Sequence, residues 1–225
     1  MTINKDDLNF EIIPIHSSLC GRSVISTYGL WKAVWSDTFL ELEGEKKIFS
    51  DAFMSSDEIG ALFYQDAAVG LVLYKWWDFQ KPMTWDHSYF KVYPPEILKK
   101  IVRNYQVPLM TMSYLTVHPE WRKSTCPIPI SETLIGLAVQ RFLVSKSQHL
   151  ISYTRNDRKI NDLVYRYGAK PLVRGQTAHN VSVDLVSIAR PDAQPSSIIG
   201  VQELVEQLWN RRGITFVPKD NMRAA

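Results

Sequence analysis

The sequence predicts a mixed α/β single domain whose sheet of about six to seven strands is flanked by helices. Three observations carry that expectation. Runs rich in β-branched residues or alternating with period two recur between runs whose apolar residues step by three and four, so strands and helices interleave along the chain. Two β-rich runs stand only two residues apart, which adds an antiparallel hairpin to strand–helix–strand units that pair in parallel through right-handed crossovers. The 225 residues are 45% hydrophobic and 22% charged, enough apolar material for one sizeable core without staples.

Leu8 to Ile15 mixes alternation with β-branched residues and precedes the turn-prone His16, Ser17 and Ser18, as a first strand leading into a helix does. Between Leu19 and Leu42 that helix repeats Val24, Tyr28, Trp31, Val34, Trp35, Thr38 and Phe39 on one face, an aromatic stripe expected to be core. Residues 46–56 are polar and interrupted, a connection or a short helix. Ile59 to Tyr64 and Ala67 to Trp76 form the hairpin across Gln65 and Asp66. From Trp77 to Pro108 the pattern is lost among prolines and aromatics, with one short helix expected from Pro95 through Val102. Leu109 to Val117 restores a strand, and Ser131 and Glu132 open a helix carrying Leu134, Ile135, Ala138, Phe142 and Leu143. His149 to Thr154 is a short strand, Asp157 to Tyr167 a helix closed by Gly168, and Val181 to Ala189 an alternating strand. A last helix spaces Ile198, Val201, Leu204, Val205 and Leu208, before a basic tail from Arg211.

Charge and motifs exclude several functions. The 26 basic and 23 acidic residues leave a formal charge of +3, spread along the chain, so nucleic acid is not the expected partner. Residues 1–7 carry no apolar run of the signal-peptide kind, and the longest apolar runs fall short of the ~20 residues that span a bilayer. A cytoplasmic chain with two reduced thiols, Cys20 and Cys126, is the expectation. The five histidines show no ligand spacing with either cysteine, so no metal is expected, and the nucleophile-elbow, phosphate-loop, zinc-helix and dinucleotide signatures are absent.

The informative stretches are Tyr114 to Gln140 and Asn156 to Lys170. In the first, Val117, Pro119, Trp121 and Arg122 match a strand end of the form Val-x-Pro-x-aromatic-Arg before a loop and a helix; in the second, Tyr167, Gly168 and Ala169 close a crossover helix. Together they resemble the GCN5-related N-acyltransferases over about residues 8–189. The resemblance implies an acyltransferase domain over 1–190 with an aromatic insertion at 77–108, followed by a C-terminal helix and basic tail over 191–225. It also implies an acetyl-CoA or acyl-CoA thioester as donor and a small-molecule or peptide amine as acceptor, joined by direct attack. Leu115 and Val117 would lie along the donor's arm, and Arg122, Lys123, Ser124 and Thr125 would hold its phosphates by charge and hydrogen bonds. Where many relatives place a tyrosine acid this chain has Val164, so the neighbouring Tyr165 is the candidate for protonating the departing thiolate. No imidazole or carboxylate stands on the Leu109–Val117 strand, which leaves His118 and Glu120 as candidate bases, with Asp86 and His87 as alternatives.

Two further readings remain open. The loop after Arg122 has no glycine and carries Pro127 and Pro129, which remove two backbone donors from the phosphate cradle. A donor on an acyl carrier protein's phosphopantetheine, as used by synthases of N-acyl amino acids or acyl-homoserine lactones, needs no such cradle. The alternative from another class is a non-catalytic binding domain that kept the fold.

Overall fold

The computed structural model describes residues 4–15, 21–46, 48–103, 106–122 and 126–214. Its helices are α1 (Arg22–Glu43), α2 (Asp51–Met54), α3 (Pro82–Trp85), α4 (Pro95–Ile101), α5 (Ile130–Leu143), α6 (Ile160–Tyr165) and α7 (Ile199–Asn210). The strands are β1 (Leu8–Pro14), β2 (Glu58–Tyr64), β3 (Ala67–Trp77), β4 (Leu109–Val117), β5 (His149–Arg155), β6 (Lys170–Ala178), β7 (Val181–Ala189) and the two-residue β8 (Gly213–Ile214). They form one sheet in the order β6-β7-β5-β4-β3-β2-β1-β8. Only β4–β5 and β1–β8 pair in parallel; the other neighbours are antiparallel. No helix among the described residues is long and apolar enough to cross a membrane.

Period-two alternation in β3 shows how the sheet is covered. Val72 and Tyr74 enter a core shared with α5 and α7, whereas Leu71 and Leu73 face a second core under α1. Trp77, of the same parity as Leu71 and Leu73, begins a third core, in which Phe79, Phe90, Tyr93 and Leu98 of the 77–108 insertion pack on Leu109, Ile151 and Leu185. The insertion is therefore a roof of short helical turns over one face of the sheet. Helix α5 is buried nearly all round because α7 covers its outer side: Gly136 lies against Val205, where a Cβ would meet a valine methyl at 2.7 Å.

The expected strands from Leu8 to Val117 and the Gln65–Asp66 hairpin turn are present, Gln65 adopting a left-handed φ of 55°. Three features differ from expectation. Strand β6 is an edge strand exposed on much of its length and interrupted by Pro171 and Gly175, so it carries no alternation to read. Helix α6 is shorter than the Asp157–Tyr167 pattern, because Lys159 turns left-handed (φ 56°) and delays its start. The tail does not begin at Arg211: Gly213 and Ile214 pair with Glu11 and Ile12, and Arg212 lies 4.0 Å over the Trp209 ring.

Candidate active-site cleft between β4 and β5

The two parallel strands pair at only two positions, Met110 with Leu150 and Thr111 with Ile151. Beyond them β5 stays on its seven-residue ladder with β7, while β4 stays with β3 and bends. The bend is a bulge: the β3–β4 register shifts between Leu71 and Leu73, and Tyr114 takes a left-handed φ of 54°. Such a backbone costs roughly 1–2 kcal/mol in a non-glycine residue and needs support from its surroundings. Support comes from Thr116, whose Oγ1 donates to the Tyr114 carbonyl at 2.7 Å and accepts from Trp35 Nε1 at 2.9 Å. The Tyr114 ring meets Trp31 and Trp35 edge-on, with centroids at 5.6 and 4.9 Å.

A cleft of about 650 Å³ fills the gap. Its walls are α1 (Val34, Trp35, Thr38, Phe39), the parted edges of β4 and β5, and Ala178, His179, Val181 and Val183 of the β6–β7 turn. Polar pairs tie α1 across to the far side. Arg158 holds Glu41 at 2.6 and 2.8 Å, His179 Nδ1 lies 2.7 Å from Glu43, and Asn180 Nδ2 donates to the Leu42 carbonyl at 3.1 Å. Arg155 forks onto Asp157 at 3.0 and 2.6 Å, and that hydrogen bond holds the Asp157 carboxyl below its ordinary pKa. At the other end, Val117, His118, Arg122 and Ser131 bring the start of α5 to the opening. Helix α5 begins after Pro129 with no side-chain cap, and its Ser131 lines the cleft together with Arg122.

The structure brings together Leu115, Val117, His118 and Arg122 of the residues singled out from sequence. Glu120 is exposed and outside the cleft, though its N–H donates to His118 Nδ1 at 3.3 Å and fixes that ring nitrogen as an acceptor. Lys123, Ser124 and Thr125 lie outside the described residues, as do His16 and Cys20. Buried Cys126 and the Asp86–His87 pair do not line the cleft. Of the insertion's described aromatics only Tyr89 reaches it, while Trp77, Phe79 and Phe90 are minicore; Trp76, in β3, packs on the opposite face under Arg141, 4.7 Å from its ring.

Tyr165 points away from the cleft. Its hydroxyl donates to Asp184 Oδ2 at 2.6 Å, and burial together with that carboxylate pushes its pKa up to about 12. Asp184, 3% exposed, also accepts from Asn156 Nδ2 (2.9 Å), Asn161 Nδ2 (3.3 Å) and the Gly175 N–H (2.9 Å). Burial alone would raise the Asp184 pKa, but the four donors outweigh it and hold it at about 2. Tyr165→Phe is accordingly expected to lower stability by about 2 kcal/mol, the worth of a hydrogen bond to a charged group, and to leave donor affinity unchanged. Denaturant melts and a donor titration on the same variant check both halves; weakened donor binding at wild-type stability would return Tyr165 to the site.

Sequence reasoning did not single out Trp35, Tyr114 or Tyr153 for the site. Trp35 and Phe39 belong to the stripe expected as core, and the structure splits that stripe: Tyr28 and Trp31 pack against Phe53, while Trp35 and Phe39 face the cleft. Among the described residues no cluster of His, Cys, Asp and Glu is arranged to hold a metal ion.

No protein-family profile matches this chain, and no curated protein matches it significantly in sequence. Solved structures do match by shape. A CoA-dependent acyl-homoserine lactone synthase, BjaI, superimposes with a TM-score of 0.60 at 9% identity, covering 95% of this chain and 96% of its own. FeeM, an N-acyl amino acid synthase from uncultured soil microbes, gives 0.57 at 11% identity over 82% of this chain and 91% of its own. An acyl-CoA N-acyltransferase from Pseudomonas aeruginosa gives 0.51 at 10% identity over 81% and 99%. With the parted parallel strands and the bulge already described, these likenesses show that the chain is a divergent example of the GCN5-related N-acyltransferase fold.

Proposed function

We propose that this protein is an N-acyltransferase that passes an acyl group from a phosphopantetheine thioester, most simply acyl-CoA, to an amine. The observation that carries the reading is the separation of β4 from β5 beyond Thr111 and Ile151. It leaves the facing edges without ladder partners, so an extended pantetheine arm adds to β4 as a strand would, and an edge N–H is available to the thioester oxygen. Arg122 and the open start of α5 supply the phosphate end. His118 lies at that end, so it serves donor binding rather than the attacked carbonyl.

The chemistry asks little of side chains. The amine attacks the carbonyl carbon, the C–N bond forms and the C–S bond breaks, and the proton lost by nitrogen ends on the departing sulfur. A thiol pKa near 8.5 makes the thiolate a competent leaving group, so water in the cleft suffices to relay that proton. What the fold contributes is orientation of the thioester and exclusion of bulk solvent.

A thermal-shift titration with acetyl-CoA, octanoyl-CoA and free CoA tests the donor reading. A ligand at 100 times its Kd stabilises the fold by about 2.7 kcal/mol, a rise of roughly 5–11 °C for a domain of this size. Arg122→Ala should weaken donor binding about tenfold, the loss of one charge-assisted contact, in a protein that still melts cooperatively. No shift with any CoA species would sink the CoA reading. The loop without glycine after Arg122 favours a second donor, acyl-phosphopantetheine on a carrier protein, and the same titration with an acyl carrier protein separates the two.

A further inference from the structure

The hydroxyl of Tyr89 is buried without a hydrogen-bond partner, although its residue lines the cleft. The ring is fixed. The Tyr89 backbone N–H donates to His87 Nδ1 at 3.2 Å, and the ring stacks on Trp77 and Tyr93 with centroids at 5.9 and 6.0 Å while tilting against Tyr153 at 5.6 Å. The phenol therefore cannot swing out to solvent. Its neighbour Tyr93 also has a buried hydroxyl without a hydrogen-bond partner, and the two phenols lie close enough to interact without closing a bond of good geometry. Leaving such a group unpaired costs roughly 1–3 kcal/mol, which a close-packed minicore would ordinarily avoid by using phenylalanine.

Position along the cleft says what the hydroxyl is for. Tyr153 stands two residues beyond the last β4–β5 pair and Tyr114 three residues beyond it, so the phenols gather at the inner end where the strands part. The phosphate end, at Arg122 and Ser131, is the opposite one. A donor anchored there runs its arm back along the β4 edge and delivers its acyl group to Tyr114, Tyr153 and Tyr89. Burial raises the pKa of all three phenols, so each is a neutral donor at physiological pH.

On the basis of the thioester-donor reading above, we propose that the Tyr89 hydroxyl holds a hydrogen-bonding oxygen carried by the acyl group, so that the inner end selects an oxygenated acyl donor over a plain hydrocarbon one. That oxygen sits either on an aliphatic chain or on an aryl ring; the aromatic wall from Tyr114 through Trp35 to Phe39 accommodates both, and matched probes tell them apart.

Calorimetric titration of wild type, Tyr89→Phe and Tyr93→Phe with free CoA and two matched pairs, octanoyl-CoA against 3-oxooctanoyl-CoA and cinnamoyl-CoA against 4-hydroxycinnamoyl-CoA, tests the proposal. Wild type should bind the oxygenated member of at least one pair about fivefold more tightly, the worth of one hydrogen bond. Tyr89→Phe should bring that member down to within twofold of its hydrocarbon partner without lowering the melting point, since the lost hydroxyl has no partner in the free protein. Tyr93→Phe, outside the cleft lining, should retain the preference. Equal affinities within both pairs, or a preference that survives Tyr89→Phe, overturn the inference; if free CoA still binds, the donor reading stands. Failure of every CoA species to bind overturns both.

Discussion

Gly168→Ala is expected to destabilise the protein by about 3 kcal/mol and to lower its melting temperature by roughly 6–12 °C. Two terms add. Gly168 ends α6 with φ +88°, a left-handed conformation that costs an alanine roughly 1 kcal/mol or more. A Cβ there would also overlap the Asp192 carbonyl oxygen and stand 2.8 Å from its carbon, so backbone rather than a flexible side chain must move. That backbone is held by the Gln194 N–H donating to the Tyr167 carbonyl at 3.1 Å and by Lys170 on Asp192 at 2.7 Å. Gly175→Ala is the control, because Gly175 has φ +68° with open space around its would-be Cβ and carries only the conformational term. Denaturant melts of both variants decide the matter: equal losses would mean that the close approach to Asp192 relaxes freely.

Gly168 was legible as a helix terminator because a glycine after Tyr167 closes an apolar helical pattern, but its packing against Asp192 was not, since nothing local marks residues 24 apart as neighbours. The same division runs through the rest of the chain. Strands β2 to β5 and helix α5 were readable because each is buried on both sides or on a broad face, and burial writes a periodic apolar pattern. Edge strand β6 has little to bury and left no such pattern. Periodicity also reports that a helix face is apolar without reporting what that face meets. Trp31 and Trp35 sit four residues apart on the same α1 stripe, one against Phe53 in a filled core and one over an open cleft. The motif residues Val117 and Arg122 line one end of the cleft, a placement the sequence could suggest because a strand end followed by a basic residue is a local feature. Tyr165 did not point there: its orientation is set by Asp184, a partner on another strand that only the tertiary fold brings within 2.6 Å.

That carboxylate is where a single side chain should matter most. Asp184→Ala is expected to cost 3–5 kcal/mol at neutral pH, because it strands the Tyr165 hydroxyl, the Asn156 and Asn161 amides and the Gly175 N–H in a site from which water is largely excluded. The four donors come from α6, β6 and the turn after β5, so their release loosens the strands that carry Thr154 and Val183 into the cleft wall. Faster amide exchange in β6 and α6 should accompany the loss. Protonation supplies an independent check on the same interaction. The folded-state pKa of about 2 lies below the ordinary 3.8, so the charged form is favoured by folding; its contribution is complete above pH 5 and disappears as pH falls toward 2. A difference of nearly two pKa units corresponds to about 2.5 kcal/mol. The stability gap between wild type and Asp184→Ala should therefore narrow by about 2 kcal/mol between pH 5 and pH 2, where the folded carboxyl is half protonated. Asp184→Asn separates charge from hydrogen bonding: the side-chain oxygens of Asn156 and Asn161 are buried without partners, so turning either amide over presents an acceptor to the new NH₂ group. More than half of the alanine loss should return in the asparagine variant, with no narrowing on acidification; a gap between wild type and Asp184→Ala that stays constant with pH would remove the carboxylate's charge from the account and leave only its shape.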